Sequence, residues 1–170
     1  ESVGVYNDVF VSDDHGITWH TVGLRLSEPV LELAISSAPE EVIYLRTTSG
    51  LYRSRDRADT FETLMVQSAN PQFPRSQVLG MYPSPITSGL VLLSVSSGAR
   101  TRILRSDDSG DSWQDVFLAD TPGARLVFAS DGVEVLAFGR SGVAWRSSDS
   151  GRTWNSAQPV PPTLGCLLHG

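Results

Sequence analysis

Nineteen carboxylates and thirteen arginines, beside three histidines and no lysine, set the chemistry that these side chains can offer. Adjacent acids at Asp13-Asp14 and Asp107-Asp108 present paired oxygen donors of the kind that bind calcium. Arg53, Arg105 and Arg146 each stand one residue before a serine and could hold a carboxylate through two parallel hydrogen bonds. Two acids facing across a cleft could cleave a glycosidic bond as general acid and base. Each of these chemistries competes with a structural use of the same residues, and spacing decides between them.

The aspartates belong to an octet written four times, Ser-x-Asp-x-small-x-hydroxyl-aromatic. The copies run from Ser12 to Trp19, Ser54 to Phe61, Ser106 to Trp113 and Ser147 to Trp154. Their aspartates, Asp14, Asp56, Asp108 and Asp149, lie 42, 52 and 41 residues apart, the period of a propeller blade or other repeat unit. The octet reads as a self-contained turn. Its Asp would accept bonds from backbone amides two or three residues on, braced by the serine. Gly16, Gly110 and Gly151 would supply positive φ. The second copy has Ala58 and Phe61 in place of Gly and Trp, which predicts a distorted, less tight turn. With the acids engaged in turns and no EF-hand order ending in glutamate, neither a metal nor another cofactor is expected.

This octet resembles the Asp-box, or BNR repeat, of sialidase-like β-propellers, a group that includes sortilin-type receptors and the photosystem II stability and assembly factor. The resemblance implies that each octet joins the third and fourth strands of a blade and sends its aromatic between neighbouring sheets. Ser12, Asp14, Gly16, Trp19, Ser54, Asp56, Phe61, Ser106, Asp108, Gly110, Trp113, Ser147, Asp149, Gly151 and Trp154 then become structural residues. Trp145 and Tyr52 hold equivalent places and would fill inter-blade core. The three arginines before the boxes would make surface or blade-edge salt bridges.

Short runs rich in Val, Leu and Ile, separated by turn residues, lie between the octets, as antiparallel strands require. No segment keeps a 3.6-residue period, so no helix is expected. The fold class is therefore all-β: a propeller of four-stranded antiparallel blades, four in this chain, forming one domain. The blades cover about residues 31–66, 78–118 and 125–157, with a first blade from 1–22 plus 164–170. In that first blade, Ser2 to Tyr6, an Asn7-Asp8 turn and Val9 to Ser12 give the second and third strands, and Thr18 to Val22 the fourth. Leu164 to His169 aligns with the first strand of other blades and would complete it. Closure then has three forms: four blades sealed by the chain's own ends, two chains making eight, or four blades within a larger propeller. A larger assembly is preferred to a four-bladed ring, because the Asp-box propellers that the chain resembles have six or more blades, and a free half-propeller would expose open sheet faces and need a partner.

Composition narrows the function. A net charge of −6 and a pI near 4.9 disfavour nucleic acid and anionic lipid as partners. Lysine's absence, attributed to codon bias in a GC-rich bacterial genome, removes Schiff-base chemistry. Cys166 is the lone cysteine, so no internal disulfide forms. No run of about 18 apolar residues spans a membrane. The opening at Glu1 implies a removed targeting segment or a piece of something longer, and an extracytoplasmic or secreted location is expected.

Sialidases carry an Arg-Ile-Pro motif, which is absent; Phe73-Pro74-Arg75 is a superficial echo. For a glycosidase, Asp8, Glu28 and Asp120 fall in loops on the expected ligand side, and spacing selects no pair among them. His15, His20 and His169 lack metal-ligand spacing, and Gly-x-Ser-x-Gly does not occur. What remains is the rim opposite the boxes. The loop from Gln67 to Gln77 offers Phe73 and Arg75, while Arg46, Arg100 and Arg140 recur near equivalent turns and could form a positive patch. The expected function is a non-enzymatic interaction scaffold that binds a protein or peptide on this rim. The alternative is a carbohydrate-active propeller, a glycan binder or part of a glycoside hydrolase. Homodimerisation or assembly with further blades is compatible with either.

Overall fold

A computed structural model describes residues 7–36, 41–48, 50–66, 78–139 and 142–157. The described residues form fourteen strands and no helix. The chain divides into two compact units, Glu1–Met65 and Val66–Gly170.

In the first unit, β1 (Asn7–Val11) pairs antiparallel with β2 (His20–Leu26). A four-stranded sheet follows in the order β3 (Val30–Ile35), β4 (Ile43–Thr47), β5 (Leu51–Ser54) and β6 (Glu62–Leu64). In the second unit, β7 (Val78–Pro83), β8 (Val91–Ser97), β9 (Arg100–Ser106) and β10 (Gln114–Ala119) form one sheet. The other comprises β11 (Arg125–Phe128), β12 (Val135–Phe138), β13 (Ala144–Ser147) and β14 (Asn155–Ser156). All pairings are antiparallel between consecutive strands, so short turns suffice to connect them. In each four-stranded sheet the octet joins the third strand to the fourth, the place expected of it.

Side chains explain why these meanders stack. Along β8 the five residues Val91 to Val95 are all buried, because this inner strand is covered on both faces. Leu92, Ile103 and Ala119 of the first sheet of this unit meet Leu126, Val135, Ala137 and Trp145 of the second in one apolar core. Phe117 sits edge-on to Trp145 at 5.7 Å and stacks on Trp154 at 5.6 Å. Fully burying a large apolar side chain is worth roughly 1.5–3 kcal/mol, so this seam between sheets is a main source of the unit's stability.

Two strand boundaries differ from expectation. Asn7 and Asp8 do not turn; they belong to β1 and pair with Leu26 and Arg25. A two-residue hairpin turn needs positive φ at both centres, and this dipeptide lacks the glycine that favours it. The strand after the first octet begins at His20 rather than Thr18, because the amide and hydroxyl of Thr18 are both given to Asp14. Ser2 to Tyr6 and Leu164 to His169, on which completion of a first blade depends, lie outside the described residues.

Candidate functional site

The four octets fold into one turn. In each, the serine hydroxyl donates to the aspartate Oδ1 at 2.7–2.8 Å and accepts the amide at the fifth position of the octet, Gly16, Ala58, Gly110 or Gly151, at 2.7–2.9 Å. The same Oδ1 accepts the amide four residues on, that of Thr18, Thr60, Ser112 or Thr153, at 2.8–2.9 Å. The hydroxyl of that residue donates to Oδ2. The amide reach is thus four residues rather than the expected two or three, because two successive left-handed residues lengthen the loop.

Those residues are His15 and Gly16 (φ 61 and 87°), Arg57 and Ala58 (58 and 75°), Ser109 and Gly110 (59 and 99°), and Ser150 and Gly151 (58 and 83°). The second turn is not distorted. Ala58 adopts the left-handed conformation itself and keeps every bond, so the strain is borne by the backbone rather than released by rearrangement.

These bonds define the electrostatics of the acids. Hydroxyl donation from Thr18, Thr60 and Thr153, joined by the amides of the same residues, pulls Asp14, Asp56 and Asp149 down to about 2. At Asp108 partial burial opposes the fall, but donation from Ser112 and Ser106 still brings it to about 2. A carboxylate with so low a pKa is a poor proton donor near neutrality, and one whose two oxygens already accept hydrogen bonds has less to offer a metal ion. Among the described residues no group of three or more His, Cys, Asp or Glu is placed to hold a metal ion.

The arginines before the octet serines are not uniformly superficial, as was expected of them. Arg53 and Arg105 are only 3% and 4% exposed, while Arg146 is 57% exposed. Arg105 pairs with Asp107 and donates from Nε to the Ser150 carbonyl of the neighbouring sheet at 3.1 Å. Arg53 pairs with Glu62 at 2.6 Å, and Arg146 with Glu134 at 2.6 Å. Arg105 is buried where it reaches the neighbouring sheet, a contact that the repeat sequence alone does not show.

The octet aromatics divide in the same way. Trp19 and Trp154 both donate Nε1 to the glycine carbonyl three residues back, Gly16 and Gly151, at 3.1 Å. Trp154 packs on the core, whereas Trp19 is 62% exposed and fills no seam. The expected inter-sheet packing therefore holds at Trp154 and not at Trp19. Trp145 is buried, as its place in the repeat implied.

The rim residues are more engaged than expected. Arg46 lies within β4 rather than in a turn, opposite Glu32 in register, with Nε 2.8 Å from Glu32 Oε2. Arg100 opens β9 and bonds Asp120 at 3.0 Å. Glu28 accepts the hydroxyls of Thr47, at 2.8 Å, and Thr48. A bare positive patch is thus not what Arg46 and Arg100 offer, since each faces a carboxylate. Phe73, Arg75 and Arg140 lie outside the described residues. Glu32, the pairing of Asp120 with Arg100 and the threonines that hold Glu28 were missed because neighbours across strands are invisible before the strands are aligned.

Solved structures share this arrangement of sheets. YCF48 bound to a D1 peptide superimposes with a TM-score of 0.61 over 88% of this chain and 46% of its own, at 17% identity. The chain has the β-propeller fold. The GH74 xyloglucanase of Xanthomonas campestris matches with a TM-score of 0.56 over 88% of this chain and 21% of its own, at 23% identity. In sequence, a Paenibacillus sp xyloglucanase is 29% identical over 147 residues, an alignment taking in 76% of this chain and 14% of that protein. The propeller chain here thus spans a small part of that relative and under half of either structural neighbour. It matches no protein-family model.

Proposed function

We propose that the octets are Asp-box turns of a four-blade propeller segment and that the segment is a binding scaffold for a protein or peptide on the rim opposite them. One observation carries the choice over catalysis: Glu28 and Asp120, the described acids expected on the ligand side, are engaged by Thr47, Thr48 and Arg100. A glycosidase needs carboxyl groups able to give and take protons across a cleft. Asp8, the third candidate, lies within β1. The likeness to YCF48, solved bound to a D1 peptide, lends support to a peptide partner. An extracytoplasmic or secreted location remains part of this proposal.

The alternative, binding or cleavage of a glucan as part of a larger enzyme, draws on the 29% identity to a xyloglucanase. An immobilised peptide library, followed by calorimetry on the best sequence, tests the first function. The expected result is saturable binding that weakens at least fivefold in Arg100→Ala. Calorimetry with xyloglucan oligosaccharides, with release of reducing ends from xyloglucan as a second readout, tests the other. Sugar binding or chain cleavage without peptide binding would reverse the order of the two.

A further inference from the structure

We propose that the seam between sheets β7–β10 and β11–β14 is a binding site for one buried water, which joins the hydroxyls of Tyr82 and Ser94. The site lies away from the rim, and nothing in it depends on what the rim binds.

Strand register brings the two hydroxyls together. Gly80 pairs with Ser94 and Tyr82 with Leu92, while Ser94 pairs in turn with Ile103, so these five residues share one face of the sheet. That face turns toward the second sheet of the unit, because Leu92 and Ile103 join Leu126 and Ala137 in the apolar core and Tyr82 packs against it. Tyr82 leans back along β7 over Gly80. A Cβ added to the glycine would strike the phenol oxygen and would lie 2.8 Å from Cζ and 3.1 Å from Cε2. Only a glycine leaves room for the ring, and the phenol oxygen takes the place that a side chain would have. Ser94 stands directly across from it, where paired Cβ positions are about 5 Å apart.

Among the described residues neither hydroxyl oxygen has a hydrogen-bond partner, although both are buried. Ser94 is 0% exposed. A buried hydroxyl left in that state is costly. Oxygens about 5 Å apart are too distant to bond each other and suit one water that makes two bonds of about 2.8 Å. Leu92, Ile103, Leu126 and Ala137 make the surroundings neutral and apolar, which favours water over an ion.

The first unit fills the same row differently. There Ala34, Tyr44 and Arg53 lie in register, as Tyr82, Leu92 and Arg105 do, and both arginines precede an octet serine. Two residues along, Glu32 and Arg46 therefore hold the places of Gly80 and Ser94, and each row follows a register shift. Arg46 Nε and Glu32 Oε2 satisfy one another at 2.8 Å. In the second unit the glycine gives Ser94 nothing to bond, Tyr82 reaches into the gap, and the water completes the row. Two anchors are the lower end of what fixes a buried water, so each contributes modestly.

Tyr82→Phe and Ser94→Ala each delete one oxygen and leave the packing in place. In urea unfolding of the full chain, each should lower the folding equilibrium constant about fivefold, as losing one net hydrogen bond does. The double variant should lose no more than either single one, because the same water goes whichever anchor is removed. High-resolution diffraction should show an ordered water within hydrogen-bond distance of both oxygens. Hydroxyls that truly lacked a partner would give the opposite sign, since each deletion would then raise the constant, and that result would overturn the proposal. So would losses that simply add, or a density map in which the two oxygens bond directly with no water between them. None of these readouts involves the rim, so the peptide-binding experiment stands whatever they show.

Discussion

In the turn after β13, Trp154 stacks on Phe117; in the turn after β1, Trp19 has the same indole bond to its glycine carbonyl and looks into solvent. The two octets share every serine, aspartate and threonine bond, so the turn forms from its own residues whether or not a sheet covers it. Burial is added afterwards by the neighbour. Local geometry and inter-sheet packing are therefore separable here, and substitutions can be sorted by which of them they touch.

The widest separation is expected at the aromatics. Phe117→Ala removes the ring between Trp145 and Trp154 and should cost about 3 kcal/mol, the lower range for a large aromatic in a partly buried site. Phe10→Ala, at the open counterpart of Trp145, should stay within about 0.5 kcal/mol. Urea unfolding at low micromolar concentration reads both. Equal losses at the two positions would mean that the hairpin is covered in solution and that the contrast is false.

Arg105 and Arg146 give the next test. Arg105→Met leaves the Ser150 carbonyl without its donor and leaves Asp107 only the more distant Arg152 at 3.9 Å, an expected loss of about 2 kcal/mol. Arg146→Met breaks an exposed pair with Glu134 and should change stability by no more than about 0.5 kcal/mol. The same unfolding series, with m-values compared to detect loss of two-state behaviour, checks the difference.

This division also marks what could be read from the chain unaided. The octet's period located the strands, and its glycines located one left-handed residue in three of the four turns, because both are set by neighbours within eight positions; the left-handed residue before each of them carries no such mark. Trp19 could not be told from Trp154, nor Arg146 from Arg105, since their octets are nearly alike and only a facing sheet distinguishes them. The rim escaped for a related reason: Arg46 finds Glu32, and Arg100 finds Asp120, through strand register or loop geometry 14 and 20 residues away. Ala58 was misjudged in the other direction. The hydrogen bonds of Ser54, Asp56 and Thr60 outweigh the unfavourable φ of Ala58.

Acid should not distinguish the two turns. Asp14 and Asp149 have folded pKa values near 2 against an ordinary 3.8, so their ionised forms stabilise the native state fully above about pH 4 and lose that contribution as pH falls toward 2. Thr18→Val and Thr153→Val each delete the hydroxyl bond that contributes most to the depression. Both variants should begin acid unfolding at higher pH than the wild type and by similar amounts, followed by circular dichroism. A shift confined to Thr153→Val would show that packing on Phe117, rather than the turn itself, sets the carboxylate's environment.

The smallest effects concern the left-handed residue itself. Ala58→Gly relieves a φ of 75° that costs an alanine roughly 1 kcal/mol, but it also removes a buried methyl, so a net gain of about 0.5 kcal/mol is expected. Gly16→Ala should lose about 1 kcal/mol from conformation alone, because a new Cβ would meet nothing nearer than the Trp19 ring at 3.7 Å. Gly151→Ala carries the same conformational cost and also places its Cβ 2.9 Å from Leu92 Cδ2 of the adjoining sheet. Its excess loss over Gly16→Ala, read from paired melting curves, isolates the contribution of the neighbour at a position where the turn is otherwise unchanged. If the two losses coincide, Leu92 yields freely and the seam at this point is looser than its buried side chains imply.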